Sequence, residues 1–359
     1  MIMKWFFPLL VVHLFALTTR AGAAESALVK SEFIFDRNPV PSCHASTIVE
    51  TARHTLVSAW FGGTAEGDPD VGIWLSREVD GKWSAPVEVA NGIRPNGKRF
   101  ACYNPVLFQP KEGPLLLFYK VGGAPEGWTG FLKTSTNDGV SWSEAKELPE
   151  GFVGPVKNKP VQLADGTLLC GSSIEYRKGL NVYWRVQFES TSDLGKTWTK
   201  TPFLNDGVDL SAIQPSILLL GEQHLLAIGR TRQKRLFEID SNDLGKTWGS
   251  MSLTELPNPN SGTDAVTLKD GRHVLIYNHT ESGRSPLNLA VSEDGKTWSA
   301  ALVLEEKEKK AEFSYPAIIQ TSDGLVHATY TWKRKLIRHA VIDPARLTVK
   351  PILHGVWPN

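Results

Sequence analysis

Three cysteines, Cys43, Cys102 and Cys170, leave room for at most one disulfide, so cross-links do not define this fold. All three read as buried, reduced core residues. Charge of one sign is not in excess either: 39 lysines and arginines stand against 38 aspartates and glutamates, a net of +1. That balance excludes bulk attraction to nucleic acid, and no nucleic-acid partner is expected. Beyond the first two dozen residues no stretch is apolar enough to span a membrane. Helical periodicity is scarce. The run "EEKEKKAE" at 305–312 reads as a charged loop. No cofactor motif is legible, and neither cofactor nor metal is expected.

The N-terminus is organised differently. Lys4 precedes an apolar run at 5–17, and small residues follow, with Ala21-Gly22-Ala23 fitting an A-x-A cleavage site. The run is shorter than the ~20 residues a membrane span needs. A secretory signal at 1–24 is expected, followed by one domain at 25–359 and a secreted or periplasmic location.

What the chain has in abundance is one turn, repeated. "STNDGVSW", "TSDLGKTW", "SNDLGKTW" and "SEDGKTW" end at Trp142, Trp198, Trp248 and Trp298, and the degenerate "SREVDGKW" ends at Trp83. The successive intervals are 59, 56, 50 and 50 residues. A unit of this length without helical periodicity predicts a four-stranded propeller blade. Inside each unit two short β-rich runs flank a turn such as "ADG", "KDG" or "SDG". Six such hairpins can be counted, the sixth after the last tryptophan, so an all-β, six-bladed propeller is expected. Within the turn, Asp243 can accept bonds from backbone N–H groups, Gly245 permits positive φ, and Trp248 can fill the gap between strands or blades. One carboxylate per turn is too few hard ligands for calcium. The turn therefore reads as scaffold.

The S-x-D-x-G-x-T-W pattern resembles the Asp-box of sialidases (neuraminidases), which are six-bladed propellers; the resemblance covers roughly residues 40–340. Activity must then be sought away from the turn. In an antiparallel hairpin, the start of the first strand and the end of the second share one rim. At the first-strand starts stand His44, Asn104, Asn158, Gln214, Asp264 and Tyr315, spaced by 60, 54, 56, 50 and 51 residues. Six polar side chains are thus expected to ring the axis at one mouth. Lys159 lies beside Asn158. Second-strand ends bring charge to the same rim: Glu66, Asp68 and Asp70, then Glu175, then Arg230, then Arg284, then "TWKRK" in the sixth unit. Acids on one side and arginines on the other suit an anionic sugar, because the guanidinium fork matches a carboxylate.

The sialidase resemblance assigns roles. Tyr315, in "FSYPAIIQTSDG", looks like the catalytic tyrosine. Arg230 and Arg284 look like two arginines that hold the sugar carboxylate. One of Glu66, Asp68 and Asp70 occupies the place of the acid/base aspartate. Two positions depart from the pattern. Cys43 or His44 stands where an Arg-Ile-Pro arginine is usual, and Gln214 stands where a glutamate pairs with the tyrosine. The base that Tyr315 needs is then His44, Glu175 or Asp264. The expected function is an exo-acting, sialidase-like glycoside hydrolase on an acidic glycan or oligosaccharide. Catalysis falls to Tyr315, His44 and an acid from 66–70. Substrate binding falls to Arg230, Arg284, Asn104, Asn158, Lys159, Glu175, Gln214 and Asp264. Alternatives are a polysaccharide lyase or uronate-specific glycosidase using His44 and Tyr315, and a non-catalytic glycan-binding propeller.

Overall fold

A computed structural model describes residues 1–2 and 26–358. The expected signal at 1–24 lies outside the described residues but for its first two. Six antiparallel sheets follow one another around an axis. Their inner strands are Ser42–Glu50, Ala101–Phe108, Val161–Gln162, Ala212–Leu219, Asp264–Thr267 and Phe313–Gln320. Each pairs with the strand after it, as the six hairpins predict. Among the described residues the only helical pieces are two 3-10 turns, Pro125–Gly127 and Pro344–Arg346. No helix among them is long and apolar enough to cross a membrane.

The second strands carry most of the core. Leu56–Gly63 and Leu115–Gly122 are buried along their whole length. Both faces of such a strand meet a neighbouring blade, which is why the sequence there runs apolar instead of alternating. Val57, Ala59 and Phe61 of the first blade pack with Leu115, Leu117 and Tyr119 of the second. Leu226 and Ile228 of the fourth pack with Leu275 and Tyr277 of the fifth. Each such leucine contributes about 1.5–3 kcal/mol by leaving water. All three cysteines are free and buried in this packing.

The ring closes through its first strand. Leu28–Phe33 adds to Leu336–Ile342, so the sixth blade holds both an early and a late part of the chain. Near the C-terminus, Lys350–Pro351 adds to Ser299–Glu305 of the fifth blade.

The repeated turn follows the third strand of its blade. Ser241 Oγ donates to Asp243 Oδ1 (2.9 Å) and accepts from Gly245 N (2.8 Å). Asp243 accepts from Thr247 N (2.8 Å) and Thr247 Oγ1 (2.5 Å). Trp248 then stacks on Phe188 of the preceding blade, ring centroids 3.9 Å apart. Asn137 takes the aspartate's part in the second blade, accepting from Ser141 N at 2.9 Å. Third strands run away from the rim where inner strands start, so these turns sit on the opposite rim.

Candidate active site

The inner strands begin with the same irregularity in four blades. The ladder skips between His44 and Thr47, Tyr103 and Val106, Ile213 and Ser216, and Ser314 and Ala317. One residue in each gap has positive φ: Ala45 (56°), Asn104 (37°), Gln214 (59°) and Tyr315 (52°). Non-glycine residues pay for this conformation, and bulges of this kind re-aim side chains beside active sites. In three of the four the next residue is proline (Pro105, Pro215, Pro316), which has no N–H to strand where the ladder is broken. The expected ring is shifted in the first blade. The counterpart of Asn104, Gln214 and Tyr315 there is Ala45, and His44 lies one residue earlier. A period of 50–60 residues read from sequence cannot resolve a one-residue bulge.

Tyr315 is 8% exposed. Cations surround its ring: Arg230 Cζ at 5.2 Å, Arg284 Cζ at 5.4 Å and Lys157 Nζ at 5.8 Å from the centroid. The His44 ring lies 4.2 Å away, centroid to centroid. His44 is 1% exposed; its Nδ1 meets Thr331 Oγ1 at 2.9 Å, and its Nε2 has no partner. Burial, and then Arg334, Arg284, Arg230 and Lys157, hold the imidazole well below its usual range, so it is neutral near pH 7.

Arg230 contacts two aromatic rings, its Cζ 5.0 Å from the Trp184 centroid and 5.2 Å from that of Tyr315. One of its N–H groups reaches Asn260 O at 3.3 Å, and its Nε is buried without a partner. Arg284 and Arg334 share one oxygen of Glu312, at 2.8 and 2.9 Å, and Ser314 Oγ donates to the same oxygen at 2.7 Å. Burial opposes the Glu312 charge, but the two arginines outweigh it and keep the carboxyl below its usual range. Arg334 also pairs with Glu66 at 2.6 Å. Its carbonyl accepts from Cys43 N at 3.0 Å, so it stands beside the position where the resemblance leads one to look for an arginine.

Other expected site residues are placed as follows. Asp264 spends both oxygens inside the protein, on Ser216 Oγ, Ala265 N, Lys159 Nζ and Ile318 N, all at 2.9–3.0 Å. Lys159 also reaches Ala265 O. Asn158 donates to Gln214 O (3.0 Å) and accepts from Lys157 Nζ (2.8 Å). These three tie blades together around the axis. Asn104 is buried, and Gln214 Oε1 is buried and unpartnered. Asp70 accepts from Thr64 N and Oγ1, closing its own loop. Glu66 is engaged by Arg334, which leaves Asp68 as the acid of that loop without a side-chain partner. Glu175 is pushed up by burial, with the Arg230 charge opposing.

Four residues of the cluster went unassigned in the sequence: Lys157, Trp184, Glu312 and Arg334. Lys157 Nζ donates to Asn158 Oδ1, Thr263 O (2.9 Å) and Pro316 O (2.6 Å), and burial lowers it to about 7. Arg334 was visible only as one charge of "TWKRK", and Glu312 lay inside the run read as a charged loop.

A family model described as BNR repeat-like domain matches residues 54–328, most of the chain. The chain belongs to this family. No curated protein matches this BNR repeat-like chain in sequence. Solved structures match its fold. The NanB sialidase of Streptococcus pneumoniae is 14% identical with a TM-score of 0.69, over 88% of this chain and 71% of that one. A protein of unknown function from Dyadobacter fermentans is 18% identical with a TM-score of 0.72, over 88% and 98%. The intramolecular trans-sialidase of Ruminococcus gnavus is 13% identical with a TM-score of 0.69, over 90% and 99%. At such identities the likeness establishes the six-bladed sialidase-like propeller, of which this BNR repeat-like chain is a divergent member.

Proposed function

We propose that this BNR repeat-like propeller is an exo-acting glycoside hydrolase that removes a terminal acidic sugar, sialic acid or a related one. The convergence of Arg230, Arg284 and Lys157 on the Tyr315 ring, with Arg334 joined to Arg284 through Glu312, carries this reading. Arginines hold the sugar carboxylate through forked bonds. A neutral phenol approaches such a substrate without the repulsion a carboxylate nucleophile would suffer. Tyr315 Oη attacks the anomeric carbon, the bond to the leaving oxygen breaks, and Asp68 supplies its proton; water then releases the sugar. The phenol must lose a proton, since its ordinary pKa is about 10. Asp264 is fully bonded and unsuited. His44 would have to hold that proton among four cations. Glu175, the remaining one of the three and linked to Tyr315 through Arg230, which acts on both, is assigned that role.

A second reading is favoured by one observation: a neutral His44 with an unpartnered Nε2 lies against Tyr315. That pair suits proton abstraction beside a uronate carboxylate and β-elimination. A panel of terminal sialosides, ulosonides and uronides, followed both for released sugar and for ultraviolet absorbance, separates the two. Saturated sugar released from acidic substrates alone is the expected result. An ultraviolet-absorbing product would assign the lyase, equal turnover of neutral glycosides would overturn both readings, and binding without release would leave a glycan-binding propeller.

A further inference from the structure

The third blade is built unlike the others. Its strands Leu168–Lys178 and Asn181–Thr191 are eleven residues each and pair along their full length. Strands of the other blades reach nine at most. The excess projects at the turn between second and third strands, on the rim that carries Tyr315. Tyr176 and Tyr183 stiffen the arm by stacking across it, centroids 4.8 Å apart. Arg232 of the fourth blade ties it down by donating to Val182 O at 2.8 Å.

Between arm and fourth blade lies a crevice of about 440 Å³, lined among others by Asn181, Tyr183, Val208, Ser211, Arg232 and Gln233. We propose that this crevice binds the neutral saccharide units to which the terminal acidic sugar is attached. The inference rests on the acidic-sugar reading above and extends it to the leaving-group side. Position is the first argument. Arg232, which lines the crevice, and Arg230, which faces Tyr315, both contact the Trp184 ring, with Cζ at 5.8 and 5.0 Å from its centroid, so a single side chain links the crevice to the guanidinium beside Tyr315. Chemistry is the second. The lining combines amide, hydroxyl and backbone groups with the Tyr183 ring and three aliphatic side chains, Leu180, Val182 and Val208, a set that pairs with sugar hydroxyls and ring faces. Ser211 Oγ is buried and unpartnered. The one cation, Arg232, is already bonded to Val182 O, so a second anion is not called for.

Binding of 3′-sialyllactose and of free N-acetylneuraminic acid to the full-length protein, by calorimetry, tests this. Tyr315→Phe as background prevents turnover. Val208→Trp fills the crevice at a residue that is 62% exposed and so is not needed for folding. Tyr183→Ala removes its aromatic wall. Each is expected to weaken the trisaccharide at least fivefold and to leave the monosaccharide within twofold. Equal affinity of both sugars for the parent, or equal loss of both in the Val208→Trp protein, would overturn the crevice while leaving the acidic-sugar reading intact. Failure of the parent to bind either sugar would overturn both.

Discussion

Tyr315 occupies a left-handed backbone position that a bulky residue adopts only when its surroundings impose it. Lys157 is part of that imposition, since its ammonium holds Pro316 O, the carbonyl of the next residue. The residue's chemistry follows from what encircles it. Tyr315→Phe keeps the ring and its contacts with three cations but deletes the hydroxyl. Turnover should be abolished while binding of an acidic ligand survives, as a paired measurement of rate and affinity would record. Arg230→Ala should cost about 2–5 kcal/mol in transition-state binding, read as a fall in kcat/KM. Arg230→Lys should recover only part, because an ammonium cannot form the fork. Full activity in the lysine protein would argue that Arg230 serves only as a point charge.

At the scale of the element, the repeated turn and the bulged inner strand divide the work. The turn stands on the far rim and bonds itself, its blade and the blade before it, as Lys296 does in donating to Asp240 of the fourth blade at 2.8 Å. Asp243→Ala removes acceptors for Thr247 N and Oγ1 and should lower stability by about 1 kcal/mol, with activity per folded molecule unchanged. A folded but inactive Asp243→Ala protein would place the turn in the site after all. The turn was easy to read because its bonds run between residues two to four apart, so the pattern sits in consecutive letters. Tyr315, Arg230 and Arg284 were legible for a related reason: each follows or precedes a countable hairpin. The bulge was not legible, because it exists only in the register between two strands; His44 was therefore set one place out of line with Asn104 and Gln214. Arg334 and Glu312 were missed because each matters through the other and through Arg284, and no local pattern announces a pair 22 residues apart across a hairpin.

The whole molecule depends on a closure that brings distant parts of the chain together. Glu32 on the first strand accepts from His339 Nδ1 at 3.0 Å on the last hairpin, and His339 Nε2 meets His327 Nδ1 at 3.0 Å. Burial, then the neighbouring His339, lowers His327 to about 4; burial lowers His279 to about 4 and His44 well below its ordinary value. In the unfolded chain these imidazoles protonate near 6.5. Between about 6.5 and 4 the unfolded state therefore binds more protons, and stability rises with pH. The contribution is fully present above about 6.5 and is lost as pH falls toward 4. For His327 alone it amounts to about 3 kcal/mol. Glu175, Glu189 and Glu238 are shifted upward and act in the opposite sense, while His273, also lowered by burial, brings the imidazoles to four against three carboxyls. The closing pair adds to the loss only at lower pH. Glu32 is held at about 2, where the bonds from His339 and Lys30 outweigh burial, so its contribution falls from about 4.5 downward. Urea midpoints measured from pH 7.5 to 4.5 should thus fall, and His327→Gln, which has no imidazole to charge, should flatten the slope. A midpoint that stays level or rises toward pH 4.5 would mean that the buried imidazoles, and the closure they pack against, do not govern the acid limit of this propeller.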